Sequence, residues 1–253
     1  MSRQNIYDDR DFFLQYLELR QNPYSANAVE ENPALLALLG EVKNQRVLDL
    51  GCGYGEMCQT IAGLGAAQVQ GIDLSEKMIH LACQQNKWPQ VSFSCMAMED
   101  IGQLDGQYDL IISSLALHYI EDYEALMRQV FYRLKPGGRF VFSQEHPLTT
   151  APLKGPEWIR TADGQVDHHR LTDYMHSGAR RVDWLVDGVI KYHRTFSDLI
   201  NGLTAAGLQL DQLQEPLPSA DLLQQKPQYA KTWHKPDFLL IRALKPGQEQ
   251  EQA

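Results

Sequence analysis

Hydrophobic positions along the first half of the chain alternate between a helical period and a strand period. Phe12, Phe13, Tyr16 and Leu17 recur at helical spacing behind early acidic residues, predicting a helix over 9–20 that QNP ends. PALLALLGEV predicts a second helix, stopped at Gly40. RVLDL then reads as a short strand, and GEMCQTIAGLG sets Met57, Cys58, Ile61 and Ala62 on one helical face and stops at Gly65. The rhythm repeats with QVQGIDL as a strand and SEKMIHLACQQ as a helix, in which Ser75 is the cap and Met78, Ile79 and Ala82 face inward. VSFSCM and YDLIISS are further strands, the latter apolar enough to be covered on both faces. Tyr123, Leu126, Met127, Val130, Phe131 and Leu134 follow the i, i+3, i+4, i+7 rule. KPGG is a turn and RFVFSQE a strand.

Strand and helix at this rhythm predict right-handed βαβ units and an open parallel sheet with helices on both faces. From about Pro147 to Arg194 the rhythm stops, and RRVDWLVDGVIKYHRTF predicts a hairpin turning at Asp187-Gly188. SDLINGLTAAGL resumes as a helix, with QLDQLQEP and DFLLIRAL as closing strands. The expected organisation is an N-terminal helical cap segment (1–45), an α/β core (46–146), an insertion serving as a substrate cap (147–195), the remainder of the core (196–245) and a disordered tail (246–253). In such sheets ligands bind beyond the carboxyl ends of the strands, where both the N-terminal helices and the insertion can fold over them.

The 253 residues suit this single architecture. A net charge of −9 argues against a dedicated nucleic-acid or anionic-membrane partner, since phosphate binding draws on clustered Lys and Arg. The longest apolar stretch, LIISSLALHYI, is far shorter than the roughly 20 residues a membrane helix needs. The N-terminus has no signal-peptide pattern. Cys52, Cys58, Cys83 and Cys95 form no C-x-x-C pair and no zinc spacing, so no metal site is expected and the thiols read as reduced, in a cytoplasmic protein that is a monomer or homodimer.

The chemistry gathers at RVLDLGCGYGEM. G-x-G after a strand lets backbone approach a ligand and opens a helix N-terminus toward it. Asp73 ends the second strand about twenty residues past Gly51, placed to accept hydrogen bonds from a ribose diol. These features alone fit any adenosine-containing cofactor. Two details separate the candidates. A dinucleotide fingerprint wants Gly or Ala where Glu56 stands. Asp49, inside the strand, would repel a pyrophosphate and suit a cofactor with a cationic end. No G-K-[ST] follows, so the loop is not a P-loop.

VLDLGCGYG, with GIDLSEKMI, MAMEDI, YDLIISSLALHYI and RLKPGGRFVFS following in order, resembles the motifs of class I S-adenosylmethionine-dependent methyltransferases over Arg46 to Ser143. FFLQYLELR, EHP and YHRT further resemble a small-molecule, type 11-like subgroup. The resemblance implies a Rossmann-like seven-stranded methyltransferase sheet and an S-adenosylmethionine site formed by Asp49, Gly51, Gly53, Asp73, Leu74, Met78, Met98, Glu99 and Ser114. It also implies that the N-terminal segment closes over the cofactor, with Tyr16 and Arg20 placed to meet the methionyl carboxylate; Tyr16 as core and Arg20 as a solvated end is the competing reading.

Methyl transfer from a sulfonium is an in-line displacement, so the protein aligns the acceptor, excludes water and removes a proton where needed. His118, His146 and His193 are the candidate bases, each also readable as a structural hydrogen-bonder. Glu145, Trp158, Tyr192 and Arg194 are the candidate substrate contacts, with packing as the alternative for the aromatic residues of the insertion. The partner expected is a small molecule methylated at O, N or C. A cofactor-binding protein without catalysis and an NAD(P)-dependent oxidoreductase are the competing functions.

Overall fold

The computed structural model describes residues 4–155 and 157–247; of the expected tail, residues 248–253 lie outside the described residues. Helix α1 (Arg10–Gln21) starts where the Asp9 carboxylate accepts from the Asp11 and Phe12 amides, and α2 (Asn32–Leu39) ends at Gly40 with φ +73°. Strands β1 (Arg46–Leu50), β2 (Gln68–Asp73), β3 (Val91–Cys95), β4 (Tyr108–Ser114) and β5 (Leu134–Glu145) alternate with α3 (Glu56–Gly63), α4 (Glu76–Gln85) and α5 (Tyr123–Arg133). Ser75 caps α4, its hydroxyl accepting from the Met78 amide. After β5 come α6 (Pro147–Thr150), the hairpin β6 (Glu157–Arg160) with β7 (Val166–Arg170), the hairpin β8 (Gly178–Trp184) with β9 (Val186–His193), and α7 (Phe196–Ala205). Strand β10 (Gln209–Gln214), α8 (Ala220–Gln225), a 3-10 stretch (Pro227–Trp233) and β11 (Phe238–Leu244) complete the chain.

The seven-stranded sheet runs β10-β11-β5-β4-β1-β2-β3. It is mixed: β1 through β5 pair parallel, and β11 lies antiparallel between β5 and β10. Strand order reverses between β1 and β4, so the crevice for a ligand opens at their carboxyl ends. Successive residues of β4 face opposite layers. Ile111 packs with Phe140, Phe142 and α5, whereas Leu110 and Ile112 pack with Leu35, Leu38, Ile61 and Val141. Helices therefore cover both faces and hold the crevice rigidly.

Three local departures from the sequence reading have physical causes. KPGG is bulged within the assigned span of β5, the β4–β5 register shifting between Tyr108 and Leu110 with Gly137 at φ +75°. The second hairpin reverses at Leu185 (φ +61°), not at Asp187-Gly188; Gly188 instead sits in β9 with φ +79°, its amide donating to Asp183 Oδ1 at 3.2 Å. The first hairpin and the α8 to 3-10 segment carry mostly polar, solvent-facing residues, so no apolar period announced them. Among the described residues, no helix is long and apolar enough to cross a membrane.

Candidate active site

Gly51 follows β1 at φ +71°, and a Cβ there would lie 2.5 Å from Ala116 Cβ. The loop backbone thus runs directly against the turn after β4. Gly53 also takes positive φ, but open space lies where its Cβ would be. Its amide donates to Asp73 Oδ2 at 2.9 Å, while the Ser75 amide donates to Oδ1 at 2.9 Å. Burial raises the Asp73 carboxyl against these two amides.

Two lobes of one cleft meet at Gly51. The first, about 260 Å³, is walled by Asp73, Leu74, Met96, Met98, Glu99 and Ile120, and covered by Gln4 to Tyr7 and by Ile190 and Tyr192 of β9. The second, about 170 Å³, holds Asp49, Gly53, Ser114, Tyr16 and Arg20. Burial, aided by the Asp73 and Glu31 charges and opposed by the Cys58 thiol that donates to Oδ2 at 3.2 Å, pushes the Asp49 carboxyl up to about 7. Arg20 reaches the same lobe from α1, its guanidinium donating to Glu56 at 2.6 Å and to Asn27. Below Ser114 the buried Glu31 carboxylate accepts from the Ser114 and Ser143 hydroxyls and from the Asn27 amide at 2.6 Å.

This cleft fits S-adenosylmethionine end for end. An apolar slot with a carboxylate at its rim suits adenosine, and a lobe lined by both a buried carboxylate and a guanidinium suits a zwitterionic amino-acid end. Gly53, with open space where a Cβ would be, leaves room in the second lobe. Among the described residues, no group of three or more His, Cys, Asp or Glu is placed to hold a metal.

A third cavity of about 220 Å³ adjoins both lobes, sharing Tyr7 and Tyr119 with the first and Tyr16, Arg20 and Leu115 with the second. Its walls are aromatic: Tyr7 stands edge-on to Tyr16 (5.0 Å) and to Tyr119 (6.1 Å), and Tyr16 to Trp184 (6.4 Å). His118 and Glu145 supply its titratable groups, with Arg20. Burial lowers the His118 imidazole to about 4, so it is neutral at physiological pH. Burial pushes the Glu145 carboxyl up, but His118, Lys191 and Lys235 together with the Lys191 hydrogen bond (2.6 Å) outweigh it and hold the group below the usual range. Lys191 itself lies over the Trp184 ring at 4.5 Å.

The cleft therefore gathers ten of the eleven expected cofactor residues: Tyr16, Arg20, Asp49, Gly51, Gly53, Asp73, Leu74, Met98, Glu99 and Ser114. Met78 departs from that expectation, being fully buried on the inner side of α4 and absent from the cleft lining. His118 and Glu145 line the third cavity. His146 does not join them: Nδ1 accepts from the Leu148 amide as the cap of α6, and Nε2 pairs with Glu215 at 2.8 Å. His193 is likewise consumed, between the Thr150 hydroxyl (2.9 Å) and the Tyr174 carbonyl (2.8 Å). Arg194 donates to the Ile120 and Glu121 carbonyls and stacks over Tyr123, tying the insertion to the turn after β4. Trp158 packs edge-on against His169 in the first hairpin. Tyr192 lines the first lobe of the cofactor cleft rather than the third cavity. Sequence reasoning passed over Tyr7, Tyr119 and Glu31. Tyr119 sits in the quoted LALHYI run and Tyr7 just before the first helix, but only the fold brings the two hydroxyls together, at 3.4 Å.

The methyltransferase-domain family matches residues 18–213. An uncharacterized protein of Haemophilus influenzae is 38% identical over 247 residues, covering 95% of this chain and 97% of its own. A ubiquinone biosynthesis O-methyltransferase of Chromobacterium violaceum is 32% identical over 120 residues, 45% of this chain and 51% of its own. Among solved structures, an S-adenosylmethionine-dependent methyltransferase of Mesorhizobium loti superposes with a TM-score of 0.78 at 37% identity, over 87% of this chain and 98% of its own. One from Listeria monocytogenes gives 0.75 at 36%, over 84% and 96%. The chain belongs to the methyltransferase-domain family as a class I S-adenosylmethionine-dependent methyltransferase.

Proposed function

We propose that this methyltransferase acts on a small-molecule acceptor seated in the aromatic cavity, at an oxygen or nitrogen that carries a proton. One observation carries the reading: the third cavity adjoins both lobes of the cofactor cleft, sharing Tyr7 and Tyr119 with the first and Tyr16, Arg20 and Leu115 with the second. An acceptor held there lies next to the middle of the cofactor, which supplies an electrophilic methyl group on its sulfonium. Asp73 would hold the ribose hydroxyls, and Asp49 with Arg20 the amino-acid end. Tyr7, Tyr16, Tyr119 and Trp184 exclude water and orient a flat acceptor.

Glu145 is the group we assign to the acceptor's proton. It is ionised, it lines the cavity, and Lys191 fixes the carboxylate through one oxygen. His118, with its basicity depressed by burial, is the second candidate base at the same wall. His146 and His193, with both ring nitrogens engaged, are left out of the mechanism. The test is transfer of labelled methyl from S-adenosylmethionine into a metabolite extract, compared with a peptide pool. Label in a metabolite is expected, and Glu145→Gln should cut turnover about 100-fold while S-adenosylhomocysteine affinity stays within about 3-fold. Label confined to peptides, or full turnover by Glu145→Gln, would overturn the corresponding part of the proposal.

A further inference from the structure

A fourth cavity, about 890 Å³, runs outward from the acceptor cavity and shares Leu19, Ser25 and Ala26 with it. It lies between the end of α1, the β6–β7 hairpin and the 3-10 stretch before β11. Its charged lining is of one sign. Arg160 and Lys231 face it, and no aspartate or glutamate is among the described residues that line it. In a protein of net charge −9 that is a local reversal. A cleft lined by one sign of charge focuses its field on whatever enters.

The neighbouring acids lie outside this lining. On the hairpin, Asp163 is taken by Thr161 and Gln165 (3.1 Å), Asp167 by His168 (2.9 Å) and Glu157 by Arg170 (3.4 Å). Asp237 is held by Lys235 at 2.7 Å. Glu30, buried behind the 3-10 stretch, faces Lys231 and Lys235, but neither of its oxygens has a hydrogen-bond partner and burial pushes its carboxyl up to about 7. Among the described residues Arg160 donates to the Gly164 carbonyl alone, and Lys231 lies over the Trp158 ring at 5.8 Å. Both cations therefore keep donors for an incoming group. Tyr24 and Tyr229 flank the passage, joined by the Tyr229 hydroxyl donating to the Tyr24 carbonyl, and Lys226 lies over the Tyr24 ring at 4.6 Å.

We infer that this groove is an anion-recognising subsite, and that the acceptor is an elongated molecule whose methylated end sits among the tyrosines while a carboxylate or phosphate at its far end is held by Arg160 and Lys231. The inference rests on the acceptor cavity proposed above, and the test keeps the two apart. Phenylhexanoate, its methyl ester, phenylhexylamine and phenylhexyl phosphate are titrated calorimetrically into the protein saturated with S-adenosylhomocysteine. The anions should bind at least about 10-fold tighter than the ester or the amine and weaken as salt rises. The tighter of the two anions then identifies the group.

The double variant Arg160→Gln/Lys231→Met should remove that preference and leave ester and S-adenosylhomocysteine affinity unchanged. Trp184→Ala, which strips a wall of the acceptor cavity, should weaken all four probes alike. An amine that binds as well as the anions, an anion preference that survives the double variant, or no binding of any probe would overturn the subsite. Probes indifferent to Trp184→Ala but sensitive to the double variant would instead overturn the acceptor cavity.

Discussion

Asp49 sits at the end of β1 at 1% exposure, and its carboxyl is raised to about 7. A carboxyl raised in the folded state favours the neutral form, so the stability it contributes is present in acid and is lost as pH climbs from about 4 through about 7. Cofactor binding draws the other way, because a cationic amino group favours the carboxylate. Affinity for S-adenosylhomocysteine should therefore weaken as pH falls below about 7, with protons released on binding at neutral pH. Asp49→Asn separates the two effects. The free variant should melt higher than the parent at about pH 8, by no more than about 4 kcal/mol, while its affinity for S-adenosylhomocysteine falls more than about 10-fold. Melting curves and calorimetry over the same pH range check both; a variant with unchanged melting and unchanged affinity would remove Asp49 from the site. Asp49 could be singled out from the sequence because its place in strand and loop is a local pattern, and the fold sets it in the second lobe of the cleft. His146 and His193 were misleading for the opposite reason: their partners, Glu215 and the Tyr174 carbonyl, are distant in sequence or belong to the backbone, and no local pattern marks either.

At the scale of elements, the turn between β1 and α3 uses two glycines for different ends. Gly51 is tight against Ala116, and Gly53 faces open cleft, though both have positive φ. Gly51→Ala must absorb a 2.5 Å approach as well as backbone strain, and should lose roughly 2–4 kcal/mol of stability along with cofactor binding. Gly53→Ala meets only the strain, so it should lose about 1 kcal/mol while a methyl group intrudes on the cleft and weakens S-adenosylhomocysteine. Paired denaturant titrations and binding curves distinguish them; equal stability losses would contradict the packing described. The strands around this turn were readable because burial on both faces leaves continuous apolar runs, as in YDLIISS, and α5 because its apolar stripe is unbroken. The hairpin at Leu185 was not. An Asp-Gly pair is the usual signature of a tight turn, and here the Asp183 side chain captures the Gly188 amide and moves the reversal three residues earlier.

Over the whole molecule, the N-terminal segment lines the first lobe of the cleft from Gln4 to Tyr7, and one aspartate fastens it. Asp8 Oδ1 accepts from the Ser75 hydroxyl at 2.5 Å and from the Lys77 amide at 3.1 Å, and Lys77 Nζ returns a bond to the Asp8 carbonyl at 2.7 Å. The segment is thereby hooked to the first turn of α4, two residues past the Asp73 that would hold the ribose. Burial raises the Asp8 carboxyl, but the Ser75 hydroxyl, the Lys77 and Glu76 amides and Asn5 outweigh it, leaving the group ionised to lower pH than usual. A depressed carboxyl contributes stability that is present above its unfolded pKa of about 4 and is lost as pH falls further, so the hook holds at neutral pH. Tyr7, next in the chain, forms part of both the cofactor cleft and the acceptor cavity, so loosening Asp8 should open both at once. Asp8→Ala removes a helix-terminal, charge-assisted contact of about 1–2 kcal/mol. Most of that should appear as S-adenosylhomocysteine dissociating about 10-fold faster, with the sheet's melting temperature little changed. Amide exchange offers the matching local readout: residues 6–21 should exchange faster in the free variant than in the parent, and bound S-adenosylhomocysteine should slow them in both. Unchanged dissociation with unchanged exchange would mean that the segment is held by its aromatic contacts with Trp184 and Tyr119, and the opening step would then belong to the β8–β9 hairpin.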